Sequence, residues 1–253
     1  MHASPRFIAA ATALALGGLA GCADTTGTAG ARPVSLSFST GGLAPATATA
    51  ARYALVGTAD ALVITKAQLV LSKSELEREG ASCAGAVVAD EDNCPELKLG
   101  PMLVDLPLDA TAKAVLAVTI PAGSSDKFEG KIDAVSSETD GKPADAAAFL
   151  AANPQFRGVS IRVEGTFNGQ PFVFTTGVES ELELSFNPAL VVDGAVNNLT
   201  VRVDLSTWFH RADGTSIDPS TATTGSANKQ VVDENIKRSF HVFEDDDRDG
   251  RDN

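Results

Sequence analysis

Residues 156–176 read FRGVSIRVEGTFNGQPFVFTT, and this stretch decides the fold. Val159, Ile161, Val163 and Phe167 place apolar side chains at every second position, interrupted at Gly165. Period-two alternation is the signature of a strand with one face on a core. Asn168 and Gly169 then separate two β-favouring runs, and Asn-Gly supplies the positive φ that a two-residue hairpin turn demands. The stretch therefore predicts a β-hairpin, and the rest of the chain is read against it.

Further strand signals lie on both sides. Residues 34–38, VSLSF, alternate apolar residues with serine. Residues 59–71, ADALVITKAQLVL, carry Leu62, Ile64, Ala67, Leu69 and Leu71 on two alternating runs whose parity changes between Ile64 and Ala67. One extra residue in a strand flips its faces, so a β-bulge is expected near Thr65 and Lys66. Residues 72–80 continue as a charged strand end or a short helical turn. Residues 102–106 and 114–120 are short strands, and 128–135 is a less regular one. Val178, Ser180, Leu182, Leu184 and Phe186 line one face of another strand, with Glu179, Glu181 and Glu183 on the other; Asn187 and Pro188 are expected to stop it. Leu199, Val201, Val203 and Leu205 mark the last clear strand, after which Trp208 and Phe209 are placed to plug the end of the core.

Two helices are expected. Asp145 can cap a short alanine-rich one over 145–152, ended by Asn153 and Pro154. Near the C-terminus Val232, Ile236, Phe240 and Phe243 share one helical face, which predicts an amphipathic helix docked on the body. About eight or nine strands with turn signals between them, and no βαβ alternation, point to an antiparallel β-sandwich with these two helices attached.

The N-terminus explains where such a domain is held. Arg6 precedes FIAAATALALGGLAGC, residues 7–22. The run is shorter than the about 20 apolar residues that a spanning helix needs. It resembles a bacterial lipoprotein signal peptide whose lipobox, Leu19-Ala20-Gly21-Cys22, ends on a cysteine that is lipidated and becomes the first mature residue. The competing reading is an ordinary secretory leader cut near Ala20 or Ala23. In the lipoproteins this resembles, an aspartate after the cysteine retains the protein in the inner membrane; Ala23 stands here, with Asp24 one place later. The resemblance therefore implies the outer membrane, on either its periplasmic or its surface face. The order of a lipobox, VSLSF, ALVITKAQLVL, GVSIRVEGTFNGQPFVF, LELSF and NLTVRVDLSTWF resembles a family of bacterial lipoproteins built on one uncharacterised β-sandwich domain, matched over residues 34–210. That resemblance implies a fold and a location but no reaction.

The expected organisation is a signal peptide over 1–21 and a flexible tether over 22–33. A sandwich domain over 34–215 follows, then a loop and docking helix over 216–243 and an acidic tail over 244–253. The formal net charge is −13, and loss of Arg6 with the leader makes the mature chain one unit more acidic. Nucleic-acid binding rests on lysine and arginine neutralising phosphates, so no nucleic-acid partner is expected. Carbohydrate stacking surfaces are disfavoured by a single tryptophan and a single tyrosine. With Cys22 assigned to the anchor, Cys83 and Cys94 remain as an even pair, which in an exported protein reads as a disulfide. It would close an acidic loop containing Asp90, Glu91 and Asp92. A thiol metal site is the alternative, and it lacks a nearby histidine.

Four features carry chemistry worth weighing. In the tail, Asp245, Asp247, Asp249 and Gly250 spell D-x-D-x-D-G, the opening of a calcium loop, with Asn253 at its ninth position. The chain lacks the glutamate of position twelve, and a solvated, disordered acidic tail is the competing reading. Glu179, Glu181 and Glu183 form a row on one strand face, with Arg162 and Arg202 as expected partners; a solvated face accounts for them. His210 and His241 are the histidines outside the leader, and neither H-E-x-x-H nor G-x-S-x-G occurs. The acidic loop at 90–93 can offer a cation or partner surface. Together these favour a non-catalytic, lipid-anchored envelope protein that binds an envelope partner or an extracellular ligand. No cofactor is required, calcium being the one ion for which the tail has ligands. An envelope hydrolase using acidic residues, or an adhesion or assembly subunit, are the alternatives.

Overall fold

The computed structural model describes residues 31–40, 53–56, 61–78, 97–109, 111–121, 123–136, 143–192, 197–245, 247, 249 and 250. The leader, most of the tether, the loop holding Cys83 and Cys94, and Asn253 lie outside the described residues. Among these described residues the fold is mainly β, with two sheets facing one another and two α-helices.

The larger sheet is built on β3 (Ala61–Arg78). Its first half pairs with β8 (Ile161–Phe167) and its second half with β7 (Gly123–Ile132). The predicted hairpin is present: β8 turns through Asn168 and Gly169, φ 50° and 80°, into β9 (Gln170–Thr176). Short strands β2 (Tyr53–Val56), β4 (Leu97–Leu99) and β5 (Met102–Asp105) also pair with β3, while β10 (Ser180–Val192) edges the sheet beside β7. The register of β3 against β8 slips between Ile64 and Lys66, leaving Thr65 as the extra residue. This is the bulge that the parity change predicts. Opposite it lies Gly165, where a Cβ would stand 2.0 Å from the Val63 carbonyl oxygen. The apparent flaw in the alternating pattern is thus the residue that lets the bulged strand approach.

The smaller sheet runs from Phe240–Glu244 (β12) through Asn197–Val203 (β11) and Ala31–Thr40 (β1) to Ala112–Pro121 (β6), in that order. β1 (Ala31–Thr40) pairs antiparallel with β6 (Ala112–Pro121) and parallel with β11 (Asn197–Val203). One pair therefore departs from the antiparallel expectation. Val34, Leu36 and Phe38 of β1 meet Leu62, Ile64 and Leu69 of β3 in the core between the sheets, closed at one end by fully buried Trp208 and Phe209. Burying each such aliphatic or aromatic side chain contributes about 1.5–3 kcal/mol. Helix α1 (Pro143–Ala152) covers the opposite face of the larger sheet with Ala146 and Phe149, against Val70, Val135 and Phe156.

Of the two alternatives for residues 72–80, the described part, 72–78, is strand. Two local expectations change. Asn187 and Pro188 do not end β10, which continues to Val192 after a register irregularity between Ser185 and Leu190. Proline cannot donate to a ladder, so it falls where the pairing is broken. The C-terminal helix α2 (Ala227–Lys237) buries Val232 and Ile236 but ends before Phe240. Phe240–Glu244 is strand β12, antiparallel to β11. Helical spacing placed Phe240 and Phe243 with Ile236, but available backbone partners on β11 decide the conformation.

Candidate functional site

The side chains of β1 that do not enter the core are Ser35, Ser37 and Ser39, because alternate residues of a strand face opposite ways. Asn198 and Thr200 of β11 share that face through the register Ser35–Asn198 and Ser37–Thr200. All five are buried. Ser35 and Ser37 donate to Asn198 Oδ1 at 2.6 and 2.9 Å, and Asn198 Nδ2 donates to Thr200 Oγ1 at 3.0 Å.

The chain leaving β12 comes onto this polar row at Asp245. Its amide donates to the Asn198 carbonyl at 2.9 Å, and its own carbonyl accepts from Asn198 Nδ2 at 3.0 Å. Its carboxylate is fully buried. Oδ2 accepts from Thr200 Oγ1 at 2.6 Å and from the Gly250 amide at 3.1 Å, while Oδ1 accepts from the Asp249 amide at 3.0 Å. These bonds fold the loop so that carboxylate oxygens of Asp245, Asp247 and Asp249 all come within 4.8 Å of one another. Asp247 and Asp249 are exposed, and Asp245 forms no ion pair with a described basic residue. Ser39 Oγ is buried with no hydrogen-bond partner among the described residues, and a Cβ placed on Gly250 would stand 3.4 Å from it. Hard cations such as calcium take six to eight oxygen ligands, carboxylates among them. The converging donor set is of that chemical type, so the residues present fit a divalent cation.

The other candidates do not assemble. Lys131 pairs with Glu179 at 2.6 Å and Lys127 with Glu183 at 3.3 Å. The expected partners Arg162 and Arg202 are elsewhere: Arg162 binds Glu164, and Arg202 lies over the Phe243 ring at 5.9 Å. The hydrogen bond to Lys131 holds the Glu179 carboxyl below the usual carboxylate range and raises the Lys131 ammonium. Such exposed pairs are the solvated face that a row of glutamates implies. His210 Nδ1 donates to the Ser206 carbonyl at 2.7 Å, and Ser216 Oγ stands 3.5 Å from Nε2, too long to polarise a nucleophile. His241 is exposed on β12. An open cleft of about 730 Å³ beside α2 is lined by Thr207, His210, Arg211, Val231, Asn235 and Arg238. Asn235 Nδ2 and the Arg211 guanidinium are committed there to internal hydrogen bonds. Cys22, Cys83, Cys94 and Asn253 lie outside the described residues.

Asn198, Thr200 and the three serines were not legible as part of a site. In the sequence they are simply the polar half of two alternating strands, the pattern of a face open to water. No family model, curated protein or solved structure matches this chain.

Proposed function

We propose that this chain is a lipid-anchored, non-catalytic protein of the cell envelope, held by Cys22 in the outer membrane, whose β-sandwich binds an envelope partner or extracellular ligand and carries one calcium ion on its C-terminal loop. The anchor rests on the leader and lipobox of residues 6–22. Two or more acyl chains at one cysteine give the stable attachment that a single chain does not. The observation that carries the calcium part is the convergence of the Asp245, Asp247 and Asp249 carboxylates within 4.8 Å, with Asp245 fixed by the fold itself. A loose acidic tail would leave that first ligand in solvent.

Calcium titration of the full chain by calorimetry, with magnesium as control, tests this reading. A one-site calcium isotherm that disappears in the Asp247→Asn/Asp249→Asn double variant supports it. An absence of heat up to millimolar calcium overturns the calcium assignment. Metabolic labelling with a fatty acid, compared with Cys22→Ser, tests the anchor separately.

A further inference from the structure

Three hydrogen bonds hold the Arg211 guanidinium, and all three acceptors are neutral. Nη1 donates to Thr215 Oγ1 at 3.3 Å and to the Ser216 carbonyl at 3.4 Å, while Nη2 donates to Asn228 Oδ1 at 2.9 Å. A guanidinium has five N–H donors, so these bonds position the group without exhausting it. Its charge has no ion-pair partner among the described residues. Asp213, two positions on, spends Oδ1 on the Thr215 amide and hydroxyl at 2.9 and 2.7 Å. The chain carries 33 acidic residues against 20 basic ones, yet no described carboxylate pairs with this arginine.

The cleft beside α2 is built around it. Asn228, Val231, Asn235 and Arg238 follow one another at spacings of three and four, which sets them along one face of the helix. At a rise of 1.5 Å per residue, Asn228 and Asn235 stand about 10 Å apart along the axis. Each ties α2 to the preceding turn. Asn228 does so through Arg211, and Asn235 through Nδ2, which donates to the His210 carbonyl at 2.7 Å. That turn is itself closed by the bridge between His210 and Ser216. Val231, half-buried, lies between the two ties and gives the cleft an apolar floor. Glu234 is a carboxylate on the cleft wall, but Arg238 and Lys237 stand 3.5 and 4.0 Å from it, so its charge is met without Arg211. The volume of about 730 Å³ lies within the range of about 300–1,000 Å³ typical of small-molecule sites, which pair an apolar lining with a few placed polar groups.

We propose that this cleft binds a small organic anion: a carboxylate or phosphate group takes the remaining donors of Arg211, and an apolar body lies over Val231 towards Arg238. Arginine suits such a group because its planar fork matches an oxyanion with two parallel hydrogen bonds. The bonds that fix Arg211 are already made in the free protein, so little side-chain freedom is lost on binding. The proposal goes beyond the calcium and anchor readings, shares no residue with either, and stands or falls apart from them.

Calorimetric titration of the full chain with phenyl phosphate and with benzoate tests it, with benzyl alcohol as the uncharged control. The expected result is one-site binding of at least one anion and none of the alcohol, and the stronger of the two anions tells phosphate from carboxylate. Charge-assisted hydrogen bonds of this kind correspond to about 10- to 100-fold in affinity, and Arg211→Gln should weaken binding by that factor. Arg238→Gln, at an exposed end of the cleft, should weaken it by no more than about fivefold. Ala212→Trp, at an exposed position on the cleft wall, should block binding while melting like the parent, which keeps the test decisive if Arg211→Gln disturbs the turn. Equal binding of benzyl alcohol overturns the anion class. Anion binding that survives both Arg211→Gln and Ala212→Trp overturns the site, and an absence of heat with either anion up to millimolar concentration overturns the proposal as a whole.

Discussion

Replacing Gly165 with alanine places a methyl group where the structure has a carbonyl. The added Cβ would stand 2.0 Å from Val63 O and 3.1 Å from Ile64 Cα. Ordinary contact needs well over 3 Å, so β3 and β8 must separate by more than 1 Å at the bulge. Overpacking of this kind costs about 1–3 kcal/mol. Opening the ladder beside the bulge weakens one or two hydrogen bonds, each worth about 1 kcal/mol net. Stiffening of the unfolded chain offsets about 0.4–1 kcal/mol. The balance is a loss of about 2–4 kcal/mol, which in a domain of this size lowers Tm by about 5–15 °C. Urea unfolding followed by the fluorescence of Trp208, the single tryptophan and fully buried, measures it directly. Gly169→Ala is the control: φ is +80° but nothing lies within 4 Å of the new Cβ, so only the left-handed backbone penalty of about 1–2 kcal/mol applies. If Gly165→Ala is no more destabilising than Gly169→Ala, close approach at the bulge is not what that glycine provides.

Asn198→Ala should cost about 2–4 kcal/mol, because Ser35, Ser37 and Thr200 each lose a buried partner. Ser35→Ala should cost less in the same thermal melts, and equal effects would argue against Asn198 as the centre of the row. The pH dependence of Glu129→Gln is bounded in direction. The hydrogen bond from Lys127 holds the Glu129 carboxyl below its ordinary value. Its contribution is then complete above the unfolded value of about 4.3 and is lost as pH falls through the lower folded value. Melting curves of parent and variant should differ by a constant amount at pH 5–7 and converge below pH 4; divergence in acid would reverse the assignment.

The parts of the fold written in periodicity were legible. The hairpin at Asn168 and Gly169, the bulge at Thr65 and the plug of Trp208 and Phe209 follow from local pattern and turn chemistry, which act over a few residues. What was misread depends on distant partners. Phe240 and Phe243 fit a helix continuing from Ile236 until β11 offers them an edge. Pro188 stops a strand by rule, yet β7 carries β10 past it. The same limit governs the site. D-x-D-x-D-G is visible as a motif, and its three aspartates do converge, but whether such a tail is loose or seated turns on Asn198 and Thr200. Nothing in the sequence marks those two residues as different from any outward-facing pair on a strand.

The parallel pairing of β1 with β11 also sets a clock. The first described strand cannot acquire its neighbour until residues 197–203 exist, and its buried side chains bond across 163 and 161 positions of chain. At synthesis rates of about 5–20 residues per second, that interval is on the order of ten seconds or more. During it β6 alone is available to pair with β1, while the larger sheet can form through residues 61–176. Contacts this distant in sequence are slow to form even in a finished chain. A polypeptide emerging N-terminus first therefore stays open at its leading end until its last quarter has followed, a delay written into strand order rather than into any single residue.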